Sequence, residues 1–183
     1  MSHEIEVKAP VEDARMVESR VRRSGGDFLG EKEQVDIYLS HPCRDMRGAD
    51  EALKLRMEGG RCMVTFKGAR IKGSLKSREE LEFSVGDGET AMEVFTRLGF
   101  KVGARVCKVR REYMLLGAKV AFDRVKGLGD FVEIEAPRIG SDSERSALVE
   151  SVAALIGVDK DRFTTKSYVE LLESRSSLIR DSI

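Results

Sequence analysis

The 183-residue sequence predicts an α+β domain, an antiparallel sheet with helices packed against one of its faces. Segment after segment alternates apolar and ionisable residues at period two, as a strand with one buried face does. Between these lie stretches whose apolar residues recur at helical spacing and end at glycine. Hydrophobic residues make up 41% of the chain, enough for a core, which excludes wholesale disorder.

Glu4-Ile5-Glu6-Val7-Lys8 is the first strand, with Glu4, Glu6 and Lys8 on one face and Ile5 and Val7 on the other. Pro10 cannot donate to a ladder and ends it. From 11 to 24, Val11, Ala14, Val17 and Val21 form a helical stripe that stops at Gly25-Gly26. Val35 to Leu39 alternates again, with Asp36 and Tyr38 on one face, and a loop over His41 to Asp45 follows. Leu53 to Met57 puts Lys54 and Arg56 together, Gly59-Gly60 reads as a hairpin turn, and Cys62 to Lys67 is the return strand. Gly68 to Ser77 reads as a basic, polar loop. Arg78 to Val85 sets Arg78, Glu80 and Glu82 opposite Leu81, Phe83 and Val85.

Thr90 to Leu98 is a second helix with Gly99 as its stop. Val106 to Leu115 is a long strand carrying Lys108, Arg110 and Glu112 on one face. Val120 to Asp123 and Phe131 to Ala136 flank a glycine-rich turn, and the second of them places Glu133 and Glu135 together. Ser141-x-x-Glu144 is a capping box opening a helix to about Ile156. A terminal helix from Ser167 to about Arg175 has Tyr168, Leu171 and Leu172 as its apolar face. The division this predicts is one domain over 1–175 and a frayed tail over 176–183.

Lys+Arg and Asp+Glu both number 32, so the formal net charge is zero, which argues against a generic nucleic-acid binder or a polybasic membrane protein. The basic stretch 67–78 lacks interleaved aromatics and reads as a rim loop. Gly68-x-x-x-x-Gly73 is followed by Ser74, so it is no P-loop. Cys43, Cys62 and Cys107 are far apart and odd in number, which supports neither a disulfide framework nor a zinc cluster. His3 and His41 are isolated. No stretch approaches the roughly 20 apolar residues that span a bilayer, and Met1-Ser2-His3-Glu4 lacks the regions of a signal peptide. The chain reads as soluble, reduced and cytoplasmic.

The charges are sorted by sign. Glu4/Glu6 and Glu133/Glu135 are acidic pairs; Lys54/Arg56 and Lys108/Arg110 are basic pairs. The solvated face of an ordinary sheet would also be charged, but it would mix signs. Like charges at i and i+2 lie ~7 Å apart and repel, a pattern that makes sense with an opposite charge between them. The helices take the apolar strand faces, so the charged faces lie away from them. Carboxylates without His or Cys suit Mg²⁺ or Mn²⁺; the basic pairs suit an anion with several charges, such as a polyphosphate. A sheet that curls on itself would set the two against each other across a polar interior.

Glu4-Ile5-Glu6-Val7-Lys8 resembles the E-x-E-x-K signature of CYTH domains, the triphosphate tunnel metalloenzymes. The stretch from Asp36-Ile37-Tyr38 through His41-Pro42-Cys43-Arg44-Asp45 to Leu53-Lys54-Leu55-Arg56 is similar to the class IV adenylate cyclase (CyaB-like) branch. Thr65 to Gly68, Ser77 to Glu82, Lys108 to Arg111 and Phe122 to Glu135 fit the same pattern, so the resemblance spans residues 4 to 135. It implies an eight-stranded antiparallel barrel, a tunnel, with helices outside. It implies one or two divalent metals, Mg²⁺ or Mn²⁺, at Glu4, Glu6, Glu133 and Glu135 with Asp123 as helper. Lys8, Lys54, Arg56, Lys67, Lys108 and Arg110 match the positions that grip the triphosphate. Lys8 and Tyr38 match a pair that helps deprotonate water in some tunnel phosphatases. Glu80 and Glu82 match acidic positions of metal or structural role.

Lys54 stands where many members have Arg, which keeps the charge and loses the bidentate fork. The resemblance implies a cyclase making cyclic AMP and pyrophosphate from ATP. The alternatives are a triphosphatase acting on inorganic triphosphate, thiamine triphosphate or a nucleoside triphosphate, and a non-catalytic binding module. The resemblance also suggests a homodimer.

Overall fold

The computed structural model describes residues 3–71 and 76–180. Eight strands close into an antiparallel barrel: β1 (His3–Pro10), β2 (Asp27–Ser40), β3 (Ala52–Glu58), β4 (Arg61–Ile71), β5 (Lys76–Val85), β6 (Lys101–Leu115), β7 (Ala118–Val125) and β8 (Gly129–Glu135). Around the barrel the order is β1-β5-β4-β3-β2-β6-β7-β8, with β8 returning to β1. Four helices are attached: α1 (Ala14–Arg23), α2 (Gly88–Arg97), α3 (Asp142–Leu155) and α4 (Tyr168–Arg180). Among the described residues, no helix is long and apolar enough to cross a membrane.

The period-two pattern has a physical outcome: the apolar set faces outward, most of it beneath helices, and the ionisable set faces inward, while Leu81 and Phe83 of β5 stay exposed. Ile5, Val7, Val120, Phe122, Val132 and Ile134 pack with Val17 and Val21 of α1 and Val149, Val152 and Ile156 of α3. Leu53, Leu55 and Val64 pack with Ala91, Met92 and Phe95 of α2. Burying side chains of this size stabilises the fold by about 1.5–3 kcal/mol each. At one end of the barrel Val106, Val125 and Phe131 meet Tyr168, Leu171 and Leu172 of α4. The terminal helix therefore seats against that end.

Local signals work as the chemistry requires. Ser141 and Glu144 form the reciprocal capping box of α3, and Asp87 caps α2 through the Glu89 and Thr90 amides. Gly59 and Gly60 both have positive φ, +54° and +78°, in the two-residue turn between β3 and β4; that turn favours glycine at both positions.

Several strands run longer than their alternation predicts. β2 begins at Asp27, eight residues before Val35, and β6 at Lys101, five before Val106. These two extensions pair with β6 and β2 respectively, from Asp27↔Met114 to Ser40↔Lys101. The basic loop expected at 68–77 is shorter than the pattern suggests, because β4 continues to Ile71 and β5 starts at Lys76. Its residues 72–75 lie outside those described. The terminal helix extends to Arg180, past the boundary placed at Arg175; of the tail expected at 176–183, residues 181–183 lie outside those described.

Candidate functional site

The inward faces enclose a cavity of about 1050 Å³ lined by Glu4, Glu6 and Lys8 of β1, Lys54 and Arg56 of β3, Lys67 of β4, Lys108 and Arg110 of β6, and Glu133 and Glu135 of β8. Tyr38 also lines it. Strand order sets the walls. The acidic strands β1 and β8 are neighbours, and β5 with Glu80 adjoins β1 on its other side. Lys67, Lys54, Arg56, Lys108 and Arg110 come from the other arc, β4, β3 and β6. Lys8 and Tyr38 sit on strands four places apart in either direction, so they face each other across the tunnel.

The grip cations are already held by carboxylates. Lys8 Nζ lies 3.0 Å from Glu133. Lys67 Nζ lies 2.9 Å from Glu4 and 2.7 Å from Glu80. Arg56 donates to both oxygens of Asp36, at 2.7 and 2.8 Å, and Lys54 reaches the same carboxylate at 3.2 Å. Asp123 accepts from Lys108 at 2.8 Å and from Arg110 at 2.6 and 2.5 Å, and Arg110 also donates to Glu133.

These contacts set the ionisation of the tunnel. Burial pulls the Asp36 carboxyl up, but Lys54 and the Arg56 guanidinium hold it well below the usual carboxylate range. Burial would lower Lys67, but Glu4, Glu6 and Glu80 raise it. Lys54 goes the other way: burial, with Arg56 beside it and Lys67 and Lys108 nearby, outweighs Asp36 and lowers it to about 7. Burial and Arg110 lower Lys108 to about 8. The Tyr38 hydroxyl is pushed up, first by burial and then by Asp36.

Two residues outside the sequence-based set belong to this site. Asp36 is the shared anchor of Lys54 and Arg56; its place on the inward face with Tyr38 was visible in the alternation, but its partners were not. Tyr168 is assigned by helical period to an apolar face. Its hydroxyl nevertheless donates to Asp123 at 2.8 Å, and Lys8 Nζ sits 3.9 Å from its ring centre. Asp123 thus holds Lys108, Arg110 and the terminal helix in one place.

The donor set suits a hard divalent cation. Glu6 and Glu135 are direct cross-strand partners, both in the cavity wall. Burial raises the Glu135 carboxyl, and Glu6 and Glu80 raise it further. A cation among these oxygens would relieve that repulsion. Among the described residues no three carboxylates, histidines or cysteines already converge as a ligand cluster, in keeping with Glu4 and Glu133 each being engaged by a lysine.

Comparison with known proteins agrees with this geometry. A family model described as CYTH domain matches residues 2–168. A Methanocaldococcus jannaschii protein that carries the provisional name adenylate cyclase is 35% identical over 171 residues, 92% of this chain and 97% of that one. The PH1819 protein of Pyrococcus horikoshii superposes with a TM-score of 0.83 at 33% identity, covering 94% of this chain and 99% of that one. A Hippeastrum protein, described as a provisional adenylyl cyclase with a dominant triphosphatase activity, shares the fold with a TM-score of 0.72 at 17% identity, covering 95% and 96%.

Proposed function

The chain belongs to the CYTH domain family, and we propose on that premise that it is a metal-dependent enzyme of the class IV adenylate cyclase type, converting ATP to cyclic AMP and pyrophosphate. The observation that carries the reading is the set of inward-facing cations, Lys8, Lys54, Arg56, Lys67, Lys108 and Arg110, set in one cavity with a carboxylate wall. Such a lining fits a chain of phosphoryl groups better than any neutral ligand. Arg56 and Arg110, oriented by Asp36 and Asp123, present fixed donors to phosphoryl oxygens. Glu4, Glu6, Glu133 and Glu135 would hold the metal, which when bound offsets charge on the transferred phosphoryl group and the leaving oxygens. Lys8 and Tyr38, on opposite walls of the tunnel, would orient the nucleophile. In the cyclase reaction the nucleophile is the ribose 3′-hydroxyl and the target the α-phosphorus.

Hydrolysis is the second reading, with water attacking the γ-phosphorus. It is favoured by the chemistry of the lining, whose charged residues specify phosphates and not a base, and by the dominant triphosphatase activity described for the Hippeastrum protein of the same fold. Phosphorus-31 NMR with Mg²⁺ or Mn²⁺, offering ATP and inorganic triphosphate separately, decides between them. Cyclic AMP with pyrophosphate supports the cyclase. Orthophosphate without a cyclic product makes the protein a triphosphatase, and binding without turnover makes it a binding module.

The lysines predict a pH dependence. As pH rises through about 7 and then about 8, Lys54 and Lys108 lose their charge, so affinity for inorganic triphosphate should fall over that window. Lys54→Arg keeps its charge throughout and should remove the earlier part of the fall. Titration calorimetry from about one pH unit below the Lys54 value to about one above that of Lys108 checks this; superimposable profiles for the two proteins would show that Lys54 does not titrate there. For folding the sign is opposite. The unfolded chain keeps this lysine protonated up to its ordinary 10.5. Between about 7 and that value the unfolded state binds more protons, so this group makes stability rise with pH.

A further inference from the structure

On the triphosphate reading above, in which Lys8 orients the nucleophile, we propose that Tyr168 of the terminal helix is a positioning residue for that reaction, the face of its ring holding the Lys8 ammonium in place. Lys8 faces Tyr38 across the tunnel, whereas Tyr168 touches it. Lys8 Nζ lies 3.9 Å from the centre of the Tyr168 ring, and Lys108 Nζ lies 5.1 Å from the same centre. All three side chains are buried, where a cation over an aromatic face is attracted most strongly. The ring is itself fixed. Its hydroxyl donates to Asp123 at 2.8 Å, and Phe131 meets it edge to face, with ring centres 5.2 Å apart. A hydroxyl committed to Asp123 is no free base, so Tyr168 acts through the lysine.

The main chain supplies a second, independent observation. Lys8 and Thr164 form an antiparallel bridge, and the Thr164 N–H donates to the Lys8 carbonyl at 2.8 Å. The segment that enters α4 is thus tied to Lys8 at its backbone, and the first residue of α4 returns to the same lysine's side chain. Beside the ring lie Lys8 and Lys108, and paired with them Glu133 and Asp123. These come from β1, β6, β8 and β7, four consecutive strands of the barrel. The ring adds what the carboxylates do not. Glu133, 3.0 Å from Lys8 Nζ, also belongs to the proposed metal wall, and a carboxylate that turns to a divalent cation loosens its hold on a lysine. An aromatic face offers a hard cation no oxygen ligand, so its hold on Lys8 persists when the wall is occupied.

The test compares Tyr168→Leu, which removes the ring, with Tyr168→Phe, which keeps the ring and loses the hydroxyl. The substrate is ATP or inorganic triphosphate, whichever the wild type turns over with Mg²⁺. In Tyr168→Leu kcat is expected to fall by about tenfold or more, the scale of a desolvated cation–π contact. KM should move by no more than about threefold, because the lysine charges stay in the tunnel and only their alignment is lost. Tyr168→Phe should restore most of the rate. A tyrosine that only packed α4 would instead lower the melting temperature and leave kcat of the folded protein unchanged. A readout independent of turnover follows Lys8 itself, in ligand-free protein labelled with carbon-13 lysine. The Lys8 ε-methylene protons, assigned by their disappearance in Lys8→Arg, should be shifted upfield by the ring in wild type and in Tyr168→Phe. In Tyr168→Leu they should return to the ordinary lysine position. Should the Leu variant not fold, wild type and the Phe variant still decide the placement. An unshifted resonance in wild type, a wild-type kcat in Tyr168→Leu, or a Phe variant as slow as the Leu variant overturns the inference while leaving the triphosphate reading intact. A wild type that turns over neither ATP nor inorganic triphosphate overturns both.

Discussion

Arg110→Ala is expected to abolish triphosphate binding and to destabilise the fold by about 3–5 kcal/mol, the range for breaking a buried ion pair by removing one partner. Arg110 donates to both oxygens of Asp123 and to Glu133. Burial alone would lower its ionisation, yet Glu133 and Asp123 raise it well above the ordinary arginine value. Alanine would remove a donor that two carboxylates share, in a place where the Asp123 side chain has no solvent exposure, and would leave Glu133 to Lys8. Lys108 and Tyr168 would still reach Asp123, which keeps the loss from being larger. Urea unfolding of the ligand-free protein gives the stability change, and calorimetry the binding. If Arg110→Ala unfolds within 1 kcal/mol of wild type, the Asp123–Arg110–Glu133 network is not the energetic centre it is taken to be here.

Glu135→Gln should do the opposite: lower divalent-dependent turnover on the order of 100-fold or more while leaving the melting temperature at neutral pH unchanged or higher. The first expectation follows from the several kcal/mol that a bound metal contributes to a phosphoryl-transfer transition state. The second follows from electrostatics. Burial, Glu6 and Glu80 raise the Glu135 carboxyl above 4.5. The folded state therefore holds the proton more tightly than the unfolded state, and stability from this group is lost as pH rises through the raised value. At neutral pH the charge is a cost, and Gln removes it while keeping the shape. Steady-state rates with Mg²⁺ and with Mn²⁺, beside thermal melts, test both halves. A variant that keeps full metal-dependent activity would remove Glu135 from the acidic wall; one that melts far below wild type would make the residue structural.

The two variants also mark what could be read from the sequence. Glu4, Glu6, Glu133 and Glu135 could be placed on one side of the barrel because a strand declares its two faces by alternation, and here both faces have a clear chemical character. The same rule found the apolar side that α1, α2 and α3 cover. It failed where alternation fails. In β2, Phe28 and Leu29 are about half exposed, Gly30 breaks the run with a positive φ, and Glu31-Lys32-Glu33 has no apolar face. This part of the strand is held by its pairing with β6 and not by a buried side. Tyr168 was hidden for another reason. Period identifies which face of a helix is buried, but not that one buried side chain carries a hydroxyl as far as Asp123. Asp36 shows the remaining limit, since ion-pair partners on different strands are set by register, which no local pattern contains.

Closure of the barrel joins its first strand to its last, and Glu6 meets Glu135 across that seam. Contacts so distant along the chain form late, because the loop they close costs entropy before any contact repays it. The acidic wall is thus absent from any partly folded state in which β8 has not yet found β1. A divalent ion bound by carboxylates from both strands would recognise only the finished barrel, and so would slow unfolding by holding the seam shut more than it would hasten folding.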